Sequence, residues 1–354
     1  MFHVLRIASA FIGIIVGAGF ASGQEILQYF TSFGYMGTLG AVFATGLFAY
    51  LGMMLTRIGS IMKIHSHSEA IYTLSGKSPG VVIDAILILT LFGVGVVMVA
   101  GAGSLGAQFL GLSPYVGSLV MTVLIVATVL MPIGRVINLI GSITPFLILA
   151  LVIICVYSLF TYGKSLEELE PIATSIDTSL PNWFISAINY VSFNIAVGAG
   201  MALVMGGSEP NVKIATWGGF LGGLGVGILI LLAHLAIFLK VDVVGTYPLP
   251  LLKIIENISP ILGGAMAIVL FGMIYNTGVA MYYAFVARFT VMQTKKSFIF
   301  AVITGAVGYV ASFVGFTDLI AYFYPLIGYL GMFLILILLY APFKLRKMRE
   351  NAQK

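Results

Sequence analysis

An all-α polytopic membrane protein of ten helices, arranged as two five-helix halves inserted upside down relative to each other, is the fold class this sequence predicts. Three observations carry that expectation. The chain is 60% hydrophobic and 8% charged with a mean hydropathy of +1.12, values that a soluble protein of 354 residues with an ordinary polar surface does not sustain. Its apolar runs reach the length of about 20 residues that a helix needs to cross a bilayer, and about ten such runs follow one another. A short motif from the first run also returns in the sixth: Ile14 to Ala21 reads IIVGAGFA and Ile195 to Ala202 reads IAVGAGMA, an offset of 181 residues. Each half then holds an odd number of spans, so the second copy must enter the membrane from the opposite side, as in the inverted repeats of secondary transporters.

The first span, about 4 to 32, is the unusual one. Gly17, Gly19 and Gly23 fall within seven positions, and glycine inside a helix is less favourable than alanine by about 1 kcal/mol. The run is therefore expected to break between Gly13 and Glu25. Broken backbone at bilayer depth is tolerated only where it is buried in protein or lines a wet cavity, so the break marks a candidate binding site. The second span, 36 to 57, ends at Arg57, and a polar connection with Lys63, His65, His67, Glu69 and Lys77 follows. Ser78-Pro79 reads as the N-cap and first position of the third span, 79 to 110. The fourth and fifth cover 114 to 131 and 136 to 162, completing a first half over 1 to 162. A polar insert, 163 to 181, carries Glu167, Glu168, Glu170 and Asp177 and separates the halves.

The second half, 182 to 341, opens with a sixth span at 182 to 206, whose glycine motif is expected to break it as well. The seventh, 212 to 239, and the third are rich in glycine without comparable polar neighbours, which reads as close helix packing. A second connection, 241 to 259, contains an apolar stretch at 251 to 258 suited to an interfacial helix. Spans at 260 to 288, 297 to 314 and 319 to 341 and a basic tail, 342 to 354, complete the chain.

Charge gives the orientation. With the N-terminus in the cytoplasm, 14 of the 17 basic residues fall inside and only Lys164, Lys240 and Lys253 outside. A bacterial inner (cell) membrane protein with several passes and both termini cytoplasmic is the expectation. The net charge of +5 thus serves topology rather than nucleic acid. Cys155 is the single cysteine, so no intramolecular disulfide can form. His65, His67 and Glu69 read as a solvated connection rather than a metal site, and Asp84 and Ser208-Glu209-Pro210 read as helix-start features. His234 reads as a packing histidine. No phosphate-binding loop and no nucleophile with a histidine and acid partner is present in the pattern, so an enzyme is not expected.

The stretch Gly17-Ala18-Gly19-Phe20-Ala21-Ser22-Gly23-Gln24-Glu25 resembles the first-helix signature of the bacterial YkvI-type membrane proteins, a group of amino acid permease-like proteins. Those are similar to the amino acid, polyamine and organocation transporter superfamily, with the LeuT-type fold in which helices 1 and 6 are discontinuous. The resemblance implies that the two breaks meet and take the carboxylate of a small zwitterion. The residues then expected to bind it are Gly17, Ala18, Gly19, Phe20, Ala21 and Ser22 in the first break, and Val197, Gly198, Ala199 and Gly200 in the second. Free amides and the positive end of a half-helix favour an anion on physical grounds too. Gly19 is expected to approach the ligand in a backbone conformation with φ > 0. Asn194, one turn before Gly198, adds a side-chain amide. Asn276 and Thr277 occupy the span that the resemblance associates with a cation site. The adjacent hydroxyl pair of sodium-coupled relatives is here Asn-Thr, which leaves sodium and proton coupling both open. Glu25 is the acid expected deepest in the membrane, where an ionisable group is expensive and read as functional by default, so it is a candidate coupling residue. Tyr190 and Phe193 are candidate gates.

The expected function is secondary active transport of a small zwitterion, an amino acid first, coupled to H+ or Na+ and needing no cofactor. The alternative is a sensor that binds an amino acid through the same fold without moving it. A reporter that is active only outside the cell, fused after Lys354, should stay silent; activity there would contradict the ten-span topology.

Overall fold

In the computed structural model, residues 2–64, 77–131, 144–333 and 335–336 are described; His65, His67, Glu69, Arg135 and the basic tail lie outside them. Helix follows helix, with no strand among these residues. The first span is three pieces: α1 (Phe2–Ile15), α2 (Ala18–Ser22) and α3 (Gln24–Tyr29). Then come α4 (Gly34–Met62), α5 (Lys77–Leu110), α6 (Pro114–Val129), α7 (Thr144–Thr161) and the short helix α8 (Leu166–Thr174). The remainder is α9 (Trp183–Gly207), α10 (Val212–Phe238), α11 (Val241–Val244), α12 (Pro250–Ile258), α13 (Pro260–Phe289), α14 (Lys295–Ala311) and α15 (Phe316–Phe333).

Seven helical stretches among the described residues are long and apolar enough to cross a membrane, and Phe2–Ile15, Pro114–Val129 and Phe146–Thr161 are shorter apolar helices. Large apolar side chains point outward, with Phe160 and Ile261 each 84% exposed, which water would not tolerate and lipid does. This is a membrane protein.

Glycine sets how closely the helices approach. A Cβ on Gly223 of α10 would overlap the carbonyl of Phe48 on α4, one on Gly219 would overlap the Gly52 carbonyl, and one on Gly206 of α9 would overlap the Thr56 carbonyl. Backbone meets backbone along α4, as small residues permit where no hydrophobic effect drives helices together. The packing reading of the seventh span therefore holds. It also extends to α9, where the sequence pattern suggested a break: α9 is one uninterrupted helix, and Gly198 is the flat site against which Ile14 and Ile15 of α1 pack.

Three smaller expectations change. Asp84 does not serve the start of its helix but pairs with Arg288 on α13. Asn211, rather than Ser208, caps α10, accepting from the amides of Lys213 and Ile214 at 3.0 and 3.3 Å. Helix α5 begins at Lys77, which places Ser78-Pro79 inside its first turn. The interfacial helix expected at 251 to 258 is present as α12.

Helix α15 is irregular where it matters for the site. Leu319–Phe323 is wound as π-helix, and Pro325 next to Tyr324 cannot donate to the Ala321 carbonyl one turn earlier. The Ser179 hydroxyl donates to that carbonyl instead. From α9, Asn189 Nδ2 donates to the Pro325 carbonyl at 3.0 Å and the Ser192 hydroxyl to the Gly328 carbonyl at 2.6 Å.

Overpacking a tight contact destabilises by about 1–3 kcal/mol or more. Gly223→Val should therefore lower the thermal unfolding temperature in detergent by several degrees, whereas Gly46→Val, on an open face with nothing within 4 Å, should not. Equal temperatures for the two variants would contradict this packing.

Candidate functional site

The break in the first span has two corners with different causes. Helix α1 closes with the Val16 amide donating to the Ile12 carbonyl at 2.8 Å, and Gly17 then runs extended at φ −96° and ψ −171°. Helix α2 restarts with Gly17 as its N-cap and no side-chain cap bond. One turn later Gly23 takes φ +85°, a left-handed conformation that disfavours any residue with a Cβ. Its hydrogens face Leu251 and Ile237, which a Cβ would meet at 2.8 and 3.1 Å. Ser22 secures this corner: its hydroxyl donates to the Gly19 carbonyl at 2.6 Å and accepts from the Gln24 amide at 3.1 Å.

Glu25 is the acid this geometry delivers inward. It sits in the first turn of α3, 5% exposed, with its carboxylate lying over Gly19. A Cβ on Gly19 would overlap that carboxylate. Gly19 is thus required for the space that Glu25 fills; it is ordinary α-helix, and the positive φ expected there occurs at Gly23 instead. The Tyr190 hydroxyl of α9 donates to Glu25 Oε2 at 3.1 Å. Tyr190 is itself wedged among Tyr29, Phe30 and Phe48 with ring centroids 5.0 to 6.2 Å away. Its position is fixed by packing, and through it the carboxylate's.

A cavity of about 760 Å³ opens against the break. One wall is α1 and the break from Ser9 to Gly19, with Glu25 at its far end. Asn194 and Val197 come from α9, Asn276 and Thr277 from α13, and Val94 and Met98 from α5. The Thr277 hydroxyl lies 4.0 Å from where a Gly17 Cβ would stand, so the missing side chain keeps that hydroxyl open to the cavity. Phe193 and Tyr324 stack at 4.1 Å and 24° and close the side near Glu25. Along the C-terminal half of α1, before the break, the lining residues Ser9, Ala10 and Gly13 are exposed.

Of the residues singled out in the sequence, Gly17, Ala18, Gly19, Glu25, Phe193, Asn194, Val197, Asn276 and Thr277 line this one cavity. Phe20, Ala21 and Ser22 are buried behind it, in the corner that Ser22 holds. Gly198 faces Ile14 and Ile15, and Ala199 and Gly200 are not among the lining residues. Tyr190 stands behind Glu25 rather than at the cavity. His234 is fully buried well along α10, between the Thr31 and Thr38 hydroxyls at 3.2 and 2.8 Å, as a packing histidine should be. Tyr324, Met98 and Met273 were missed. Only the neighbouring Pro325 signalled that the helix carrying Tyr324 is irregular.

The chain is 26% identical over 328 residues to the uncharacterized membrane protein YkvI of Bacillus subtilis (strain 168), covering 92% of each. It is 24% identical over 331 residues to the uncharacterized protein YyaD of the same organism, covering 94% of each. It is a homologue of both. The resemblance carried by residues 17 to 25 therefore extends along nearly the whole chain. No protein-family model matches. Among solved structures the fold is similar to MhsT in complex with L-phenylalanine, with TM-score 0.65 at 18% identity over 95% of this chain and 88% of that one. It is similar to a manganese transporter of Eremococcus coleocola, with TM-score 0.58 at 14% identity over 96% and 77%. The inward-facing conformation of Mhp1 gives 0.57 at 13% identity over 87% and 69%. The fold is thus similar to that of these solved transporters over most of the chain, with the helix that carries the second glycine motif uninterrupted.

The contact between Gly19 and Glu25 can be tested apart from any ligand. Gly19→Val should sharply reduce the yield of monodisperse protein, and adding Glu25→Ala should restore much of it. Contacting residues couple by about 0.5–3 kcal/mol in such a cycle. Purely additive effects would show that the carboxylate does not occupy this space.

Proposed function

We propose that the protein is a secondary active transporter of an amino acid, working by alternating access around the broken first span. The observation that carries this reading is the cavity itself: the interrupted backbone, the Glu25 carboxylate, two side-chain amides and the Thr277 hydroxyl converge on one space. Such a set offers donors and acceptors to both ends of a zwitterion, in a segment whose break bilayer physics permits only beside a cavity. Similarity in fold to MhsT, solved with L-phenylalanine, supports an amino acid as the solute.

In this reading the chain is a five-plus-five inverted repeat, with α1 to α7 as one half and α9 to α15 as the other. Only the first copy of the glycine motif is broken; in the second it serves packing. With the N-terminus cytoplasmic, a cavity that runs along the C-terminal half of α1, on the N-terminal side of the break, and is closed near Glu25 by Phe193 and Tyr324 is an inward-facing state. Similarity to the inward-facing conformation of Mhp1 supports that assignment. Glu25 is the coupling residue, by carrying a proton, or with Asn276 and Thr277 by offering hard oxygen ligands to sodium.

Purified protein in liposomes should catalyse counterflow of a labelled amino acid, and imposed proton and sodium gradients applied separately should identify the coupling ion. If the ion is the proton, Glu25→Gln should keep exchange and lose accumulation driven by a pH gradient. Binding without counterflow would instead favour a receptor, and accumulation by the variant with an unchanged pH profile would remove Glu25 from coupling.

A further inference from the structure

We propose that the solute is an amino acid with a large apolar side chain, of leucine to phenylalanine size. This rests on the transport reading above and goes beyond it to the specificity of the cavity. Apolar side chains face the space opposite the break. Val94 and Met98 lie one turn apart on α5, and Met273, Thr277 and Met281 recur at four-residue intervals along α13, so they share a face. Thr277, beside Gly17, is therefore a polar group bracketed by methionine one turn above and one turn below. The stacked rings of Phe193 and Tyr324 add a further apolar surface.

Charge narrows the class. Among the described lining residues there is no lysine, arginine or histidine, so an acidic side chain would enter without a partner. Glu25 is the lining residue with a carboxylate, and Tyr190 already holds it. A lysine or arginine side chain would compete for the group the coupling ion needs. Burying an unpaired charge, or a polar group without its hydrogen bonds, against such walls is strongly unfavourable.

Size is consistent with it. At about 30 Å³ for each water, a cavity of about 760 Å³ corresponds to roughly 25 waters. Drug-sized ligands bury about 70–90% of their surface in cavities of this size, so the space admits a large side chain. Glycine or alanine would leave the methionine walls wet. Methionine is unbranched and adapts its shape, so these walls suit a range of apolar side chains rather than one.

The test is counterflow of L-[3H]leucine into liposomes preloaded with unlabelled leucine, competed by glycine, alanine, methionine, phenylalanine, aspartate and lysine. Methionine and phenylalanine should compete at concentrations at least about tenfold lower than alanine, in line with the discrimination available to hydrophobic pockets. Aspartate and lysine should compete worst. Met281→Ala, at a partly exposed position in the wall, should weaken competition by phenylalanine and shift the phenylalanine-to-alanine ratio several-fold. Equal or better competition by glycine, aspartate or lysine, or an unmoved ratio in the variant, would overturn this inference and leave transport standing. Absence of exchange for every amino acid when tested as labelled solute would overturn both.

Discussion

A helix interrupted inside a bilayer must find a partner for each backbone group it frees, and the rest of this structure is arranged around meeting that requirement at residues 16 to 23. At the second corner the requirement is met locally. Gly23 turns left-handed, and the Ser22 hydroxyl both donates to the Gly19 carbonyl and accepts from the Gln24 amide. At the first corner, by Gly17, the chain opens instead onto a cavity lined with amides, a hydroxyl and a carboxylate. The two corners therefore differ: one is closed by its own side chain, and the other opens on the cavity.

The second irregular helix is held differently. Pro325 frees the Ala321 carbonyl on α15, which the Ser179 hydroxyl takes up, and Asn189 and Ser192 of α9 add bonds to the Pro325 and Gly328 carbonyls further along. The result places Tyr324 against Phe193 over the cavity. Helix α9 thereby serves three neighbours at once: it presents Asn194 to the cavity, holds Glu25 through Tyr190, and grips α15. The end of the bundle that carries α8 is fastened as well, with Glu170 of α8 accepting from the Tyr35 amide at 2.8 Å and Lys164 paired with Asp242 at 3.5 Å.

Much of this was legible in the residues. Hydrophobic run length located the helices, because the bilayer sets that length. Glu25, Asn194, Asn276 and Thr277 stood out because polar groups are rare at that depth, and they do converge. The glycine motif was less informative. The same V-G-A-G marks a break at Gly17 and a packing surface at Gly198, since glycine permits both and the choice depends on which neighbour approaches. Gly19 illustrates the same limit: its lack of a side chain serves the carboxylate six residues later, a contact that no local pattern encodes. Tyr324 was invisible because an aromatic residue in a bundle is usually packing, and its place over the cavity is set by Pro325 and three hydrogen bonds from distant segments.

The central claim is that the space beside Gly17 and Thr277 is where the solute sits. Because Cys155 is the single cysteine and is buried, a thiol introduced at Ala280 in the cavity wall can be followed against a low background. The account predicts that Ala280→Cys reacts with a small maleimide and that saturating leucine slows the reaction several-fold. The same reaction rate with and without amino acid, in protein shown to exchange leucine, would place the solute elsewhere and contradict it.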